Sequence, residues 1–308
     1  MVVKIFSGTS SRYLSDKISL AYGQSLGDLS LQRFSDGEFH PIINESVRGA
    51  FVFFIQSTNA PVENIFETLL FMDTARRASA DYITAVIPYF GFARQDRKDK
   101  SRVPITAKLM ANLLVTAGAN RVMTMDLHAD QIQGFFDIPV DHLRSEAIFK
   151  PYLKQLVNEK TVFSCADVGG VKRARNYAKY FETELVICDK SRNRPNEISS
   201  MMVIGEVEGK DVILVDDIVD TGGTLASAAK AMTDKGANSV RVICTHAVLS
   251  GNAYEKIEDS SILELIVTDT LPLKQHSSKI KVLSSAELFA KAIRTVHEYK
   301  SIAKLYVD

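Results

Sequence analysis

The 308-residue chain contains no tryptophan and only three cysteines. Cys165, Cys188 and Cys244 are odd in number and lie far apart in apolar runs, which excludes a disulfide framework or a zinc-binding spacing. They read as buried thiols of a reducing compartment, so a cytoplasmic location is expected. No apolar run approaches the ~18–20 residues of a membrane span. The opening MVVKIFSGTS lacks the apolar core and cleavage site of an export signal. No membrane partner is expected. Neither sign of charge is in surplus: 37 Lys and Arg against 37 Asp and Glu give a formal net charge of zero. That excludes a broadly basic nucleic-acid binder, which needs surplus cations to displace counterions. Weak self-repulsion is compatible with a homo-oligomer.

What the chain does have is apolar periodicity. Hydrophobic residues make up 46% and charged residues 24%, the balance of a globular protein with a full core. Runs rich in Val and Ile predict strands at 2–7, 51–57, 82–88, 121–127, 161–166, 184–189, 211–216, 239–247, 263–268 and 279–283. Continuous apolar runs suit strands buried on both faces. Helical patterns fall between them at 61–79, 104–117, 145–157, 171–181 and 224–235, with more helix in 285–305. This alternation predicts an α/β fold with mostly parallel sheets flanked by helices. Residues 117–129, AGANRVMTMDLHA, resemble 235–247, KGANSVRVICTHA. The match predicts two similar halves, 1–145 and 146–293, with the C-terminal helix 294–308 packed on the first.

The segment 211–224, DVILVDDIVDTGGT, carries the strongest chemistry. An apolar strand ends in carboxylates, then a Thr-Gly-Gly-Thr loop leads into a helix. Ligands of open α/β sheets bind at the carboxyl ends of strands. Glycines there let backbone N–H groups converge on an anion, and a helix N-terminus favours negative charge. Asp216 and Asp220 suit vicinal sugar hydroxyls, while Thr221, Gly222, Gly223 and Thr224 suit a phosphate. A sugar phosphate satisfies the whole loop. The segment 94–102, RQDRKDKSR, brings five cations and two anions to the end of another predicted strand. Asp126, His128 and Asp130 alternate, and would share one side if their strand continued. Asp36-Gly37 marks a hairpin tip within 31–43.

Taken together, the motifs resemble the ribose-phosphate pyrophosphokinase family of the type I phosphoribosyltransferase fold, in its phosphate-activated class. They are SDGE at 35–38, ARQDRK at 93–98, PITAK at 104–108, DLHADQIQGFF at 126–136, ADVGG at 166–170, DKSRNRPN at 189–196 and DDIVDTGGT at 216–224. All occur in register over essentially the whole chain. The resemblance implies two phosphoribosyltransferase-like domains, the first with the ATP site and the second with the ribose 5-phosphate site. It implies transfer of the diphosphoryl group of ATP to the 1-hydroxyl of ribose 5-phosphate, for nucleotide, histidine and tryptophan biosynthesis. It makes Lys190 and Arg192 catalytic, with Arg192 also at the sugar phosphate. Phe34, Asp36, Gly37, Glu38, Arg94 and Gln95 become ATP contacts, the hairpin reaching in from a neighbouring subunit. His128 and Asp167 become Mg²⁺ ligands, and a homohexamer is expected. Phosphate and ADP are the implied effectors, at a site including Ser46, Arg48, Arg102 and Ser301. Ala303 stands where a second serine is common and Tyr306 where Phe is common, which makes altered ADP inhibition an expectation.

Two other classes compete. A phosphoribosyltransferase that consumes the same product needs the TGGT loop but not RQDRK, SDGE or a duplicated domain. A non-catalytic partner of the enzyme would be expected to lose loop cations or alter the sugar loop. Lys190, Arg192, Asp216, Asp220 and Thr224 are all present, which favours an active enzyme.

Overall fold

The computed structural model describes the backbone of residues 2–191 and 200–305, with side chains over 2–189 and 201–305. The chain divides into two compact units, Met1–Arg144 with Ser285–Asp308, and Ser145–Ser284.

The first unit holds a five-stranded sheet. Its strands are β1 (Val3–Ser7), β4 (Phe51–Ile55), β5 (Tyr82–Ile87), β6 (Arg121–Met125) and β7 (Val140–Leu143), in that spatial order and all parallel. A separate hairpin of β2 (Leu29–Arg33) and β3 (Phe39–Ile43) pairs antiparallel. Alternate residues of a strand face opposite sides. Val52 and Phe54 accordingly join one apolar cluster with α2 (Glu63–Arg77) and α3 (Thr106–Ala117). Phe54 stacks on Phe71 of α2 at 4.0 Å between ring centroids. Burying such a pair on both sides stabilises the layer, and truncating one ring to alanine costs about 3–5 kcal/mol. Elsewhere in the unit α1 (Arg12–Tyr22) packs against α8 (Ala286–His297), where Arg294 lies 4.6 Å over the Tyr22 ring.

The second unit holds a seven-stranded sheet in the order β10-β9-β8-β11-β12-β13-β14. The strands are β8 (Thr161–Cys165), β9 (Glu184–Ser191), β10 (Ser200–Ile204), β11 (Asp211–Val219), β12 (Ser239–Ala247), β13 (Glu264–Thr268) and β14 (Ile280–Leu283). Only β10 runs antiparallel to its neighbour. Two apolar clusters cover its two faces. Val212, Leu214 and Val242 meet α6 (Gly223–Asp234) and α7 (Ala253–Glu258). Ile213, Val215 and Ile243 meet α4 (Glu146–Leu153) and α5 (Val171–Tyr180). Helix α6 shows why: Leu225, Ala228, Ala229 and Met232 form a buried stripe, and Lys230 pairs with Asp234 on the exposed side.

The expected α/β class and the ten strands all appear. Four elements were not anticipated: α1, β7, β10 and α7. No element was read from the sequence over 12–22, where α1 lies. Its buried stripe is Leu14, Ser15, Ile18 and Ser19, so two of four buried positions are serines and the apolar period is weak. Gly23, at φ +86°, ends it by donating its N–H to Ser19 and Leu20 carbonyls. The helix read over 145–157 stops at Leu153, with Pro151 inside it. The three cysteines are buried and free, as read.

Candidate active site

In the second unit β8 and β11 are neighbours, yet the helices that follow them lie on opposite faces. This is the topological switch point at which open α/β sheets bind ligands. Both sides of it carry carboxylates. β11 runs past the predicted end through Asp216 and Asp217 to Val219. Asp220 follows, then Thr221 and Gly222. Gly222 adopts φ +73°, a left-handed turn that a side chain resists. Helix α6 then starts at Gly223, one residue earlier than expected, with no side-chain cap on its N-terminus. Its first-turn N–H groups suit an anion.

The side chains around this loop are ordered by internal bonds. Ser250 donates its hydroxyl to the Asp220 carboxylate, and its N–H donates to the Asp220 carbonyl at 2.9 Å. The Asp217 N–H donates to Asp216 Oδ1 at 2.8 Å. Arg173 of α5 pairs with Asp217 at 3.0 Å, and the same nitrogen lies 4.0 Å from Asp216. Burial, then the adjacent Asp217 charge, pushes the Asp216 carboxyl up to about 8. Across the β8 end, Asp167 is exposed and opens a short turn, accepting the Gly170 N–H at 3.2 Å. Arg173, Asp217 and Ser250 were not singled out from sequence. Arg173 lies in a basic helix and Ser250 comes from the segment after β12, so only the fold brings them to this loop.

The first unit presents the nitrogen-rich residues. Gly91 approaches the backbone after β4 so closely that an added Cβ would sit 2.0 Å from the Thr58 carbonyl oxygen. This contact starts the loop that exposes Arg94, Gln95 and the other cations of 94–102. Gln95 is fixed against α3: Thr106 donates its hydroxyl to Gln95 Oε1 at 2.5 Å, and the Ala107 N–H donates to the Gln95 carbonyl at 3.2 Å. Gln131 donates to Asp96 at 2.9 Å, tying this loop to the 3-10 turn Asp130–Phe135. At the hairpin tip Asp36 accepts the Glu38 N–H at 3.0 Å, and Gly37 takes φ +99°. Phe34 is 45% exposed and lies 5.3 Å from the His40 ring.

One geometric expectation fails. The strand does not continue through Asp126, His128 and Asp130. It ends at Met125, and Asp126 takes φ +35°. Asp126 is buried, His128 is exposed, and Asp130 pairs with Arg144 at 2.9 Å. No cluster of three or more His, Cys, Asp or Glu side chains suited to a metal occurs among the described residues. The backbone of Lys190 pairs with Met201 at the end of β9. The Lys190 side chain and Arg192 lie outside the described residues, as does Tyr306. Ser46, Arg48, Arg102 and Ser301 are all exposed on the first unit, and Ser301 accepts the Ala303 N–H at 3.3 Å.

A switch point with paired carboxylates and a glycine turn at a helix N-terminus, in a mostly parallel sheet covered by helices on both faces, is the architecture of the phosphoribosyltransferase-like class of α/β folds. Comparison with known proteins narrows the class. Residues 3–118 match the N-terminal domain of ribose phosphate pyrophosphokinase, and residues 162–307 match the phosphoribosyl synthetase-associated domain. The chain is 53% identical over 303 residues to a ribose-phosphate pyrophosphokinase of Porphyromonas gingivalis, covering 98% of this chain and 97% of that one. It is 52% identical over 305 residues to one of Campylobacter jejuni, covering 99% of each. The crystal structure of phosphoribosylpyrophosphate synthetase from Mycobacterium smegmatis superposes with a TM-score of 0.92 at 38% identity, over 97% of this chain and 100% of that one. The chain belongs to the ribose-phosphate pyrophosphokinase family.

Proposed function

We propose that the loop after β11 holds ribose 5-phosphate and that the first unit holds ATP. The enzyme is a ribose-phosphate pyrophosphokinase: it moves the diphosphoryl group of ATP to the 1-hydroxyl of ribose 5-phosphate, giving 5-phosphoribosyl 1-diphosphate and AMP. The sugar 1-oxygen attacks the β-phosphorus, the α–β bridging bond breaks, and the hydroxyl proton is released. Such transfers depend on positioning and charge neutralisation.

The observation that carries the reading is the end of β11, where Asp216 precedes a left-handed glycine turn into an uncapped helix N-terminus. Asp216 and Asp220 accept from the ribose hydroxyls. Thr221, Gly222, Gly223 and Thr224 donate to the 5-phosphate. Arg94 offers a planar fork to phosphate oxygens, and Gln95, braced on α3, supports it. Phe34 stacks on adenine, while Asp36, Gly37 and Glu38 read its polar edge. Lys190 and Arg192 bring positive charge to the transferring phosphates.

Asp167 in the second unit and His128 in the first would each serve as a Mg²⁺ ligand. Magnesium takes few protein ligands and keeps waters and phosphate oxygens. Asp167, an exposed carboxylate, suits it better than an imidazole does. The ion neutralises charge on the ATP phosphates. We also propose that the enzyme works in the cytoplasm as a homohexamer activated by phosphate, with ADP inhibition altered at Ala303. Among the described residues no helix is long and apolar enough to cross a membrane.

The test is direct. With ATP, ribose 5-phosphate and Mg²⁺, AMP must form only when the sugar phosphate is present. ADP instead would indicate an ordinary kinase, and no turnover would indicate a non-catalytic relative. A phosphate titration without activation would remove the effector assignment. A fully active monomer would remove the hexamer and the shared ATP site.

A further inference from the structure

We infer that Arg173 is a positioning residue of the sugar site, holding Asp217 in place so that the neighbouring Asp216 carboxylate can accept the ribose hydroxyls. The inference rests on the reading of Asp216 as a sugar contact.

The placement of Arg173 follows from a glycine. Gly170 is buried at the start of α5, and an added Cβ would meet the Cys165 Cβ at 3.1 Å and the Val215 carbonyl at 3.5 Å. A side chain here would press on Cys165 by a few tenths of an ångström, and glycine lets the helix sit this close to β8 and β11 without that crowding. Three residues later, Arg173 reaches the end of β11. Its guanidinium is 3.0 Å from Asp217, whose side chain is only 7% exposed. A carboxylate so buried is costly unless it is paired. The same nitrogen stands 4.0 Å from Asp216, which is 24% exposed and faces the site. Asp217 also donates its own N–H to Asp216. The three residues therefore form one unit, in which Arg173 fixes the buried Asp217 and the backbone of Asp217 aims the half-buried Asp216.

The surroundings define the electrostatics. Asp216 is flanked by Asp217 on its own strand, Arg173 from α5, Cys244 opposite it on β12, and Cys165 on β8 with Asp167 beyond. Arg173 is the one cation that acts on Asp216 among these groups, and it opposes both burial and the Asp217 charge. Sugar hydroxyls are best accepted by the ionised carboxylate. Removing Arg173 therefore favours the protonated form at neutral pH and weakens the sugar contact.

The experiment measures ribose 5-phosphate binding by calorimetry and kcat/KM against pH. The variants are Arg173→Met, Arg173→Lys, the double variant R173M/D217N, and Asp216→Asn. For Arg173→Met, binding of ribose 5-phosphate at pH 7 should weaken on the order of 10- to 100-fold. The acid limb of kcat/KM should move up on the order of one pH unit. ATP affinity should stay as in the parent. Arg173→Lys should recover part of the loss. R173M/D217N leaves no unpaired buried charge and should recover most of it; it carries the test if Arg173→Met does not fold. Parent-like sugar affinity and pH profile in Arg173→Met would overturn the inference. So would equal losses of ATP and sugar binding that R173M/D217N does not restore. If Asp216→Asn binds the sugar phosphate as tightly as the parent does, the assignment of the sugar site is itself wrong.

Discussion

The two units carry a shared sequence repeat, yet the strand ends beside it differ. β6 and β12 hold the matched segments, and β5 and β11 precede them in each sheet. In the first unit the ends of β4 and β5 are stitched together. The Ser57 hydroxyl accepts the Tyr89 N–H at 3.1 Å, the Tyr89 carbonyl accepts the Thr58 N–H at 3.0 Å, and Thr58 Oγ1 accepts the Gly91 N–H at 2.7 Å. In the second unit the ends of β8 and β11 part, because α5 and α6 lie on opposite faces of the sheet. In the first unit α2 and α3 share one face, so the β4–β5 pair is not a switch point. A repeated strand pattern thus yields a stitched edge that projects a long cationic loop, and a second edge that carries carboxylates and a glycine turn into a helix N-terminus.

Predictions that break or sharpen this contrast can be ordered by size. The largest concerns Lys190. Lys190→Ala should lower kcat by roughly two to four orders of magnitude with modest change in ATP affinity, measured as AMP formation. Near-normal turnover would remove Lys190 from the chemistry. Next come crossed substitutions. Asp216→Asn should raise KM for ribose 5-phosphate and Arg94→Ala should raise KM for ATP, each on the order of 10- to 100-fold and each sparing the other substrate. If either variant affects both substrates equally, the division of labour between the two edges fails.

The glycines test the edges themselves. Gly91→Ala pushes a Cβ into the Thr58 carbonyl and should cost about 1–3 kcal/mol in denaturant unfolding. Gly222→Ala meets nothing closer than 3.5 Å and suffers only its positive φ, so about 1 kcal/mol is expected. The reverse order would contradict the stitched-versus-parted picture. The smallest effect is on pH. Asp216 is raised above its unfolded value, so the stability it contributes is present in acid and is lost as pH rises from about 4 through about 8. The melting temperature of the ligand-free enzyme should show that decline, and Asp216→Asn should flatten it. Ribose 5-phosphate binding should run the other way, strengthening as Asp216 ionises.

Much of this was legible residue by residue. The Val- and Ile-rich runs announced the ten strands, because strands covered on both faces have to be apolar throughout. The turn at 220–224 into α6 was legible because a Gly-Gly pair between an apolar run and a helical pattern breaks the strand and allows a left-handed turn. The first helix was hidden because serine fills half of its buried stripe. The shared side read from the alternation of Asp126, His128 and Asp130 is not formed, because the strand ends at Met125 and the backbone turns sharply at Asp126, and no local pattern signals that turn.

The sequence by itself determined the class of fold and the order and charge of the motifs, since these depend on local periodicity and residue chemistry. Tertiary structure decided which strand ends part and which are stitched, since that depends on the face to which each helix crosses. It also decided that Arg173 of one helix stands between two carboxylates of a strand 43 and 44 residues further along the chain. Such a contact is set by helix packing over Gly170, and no spacing along the chain encodes it.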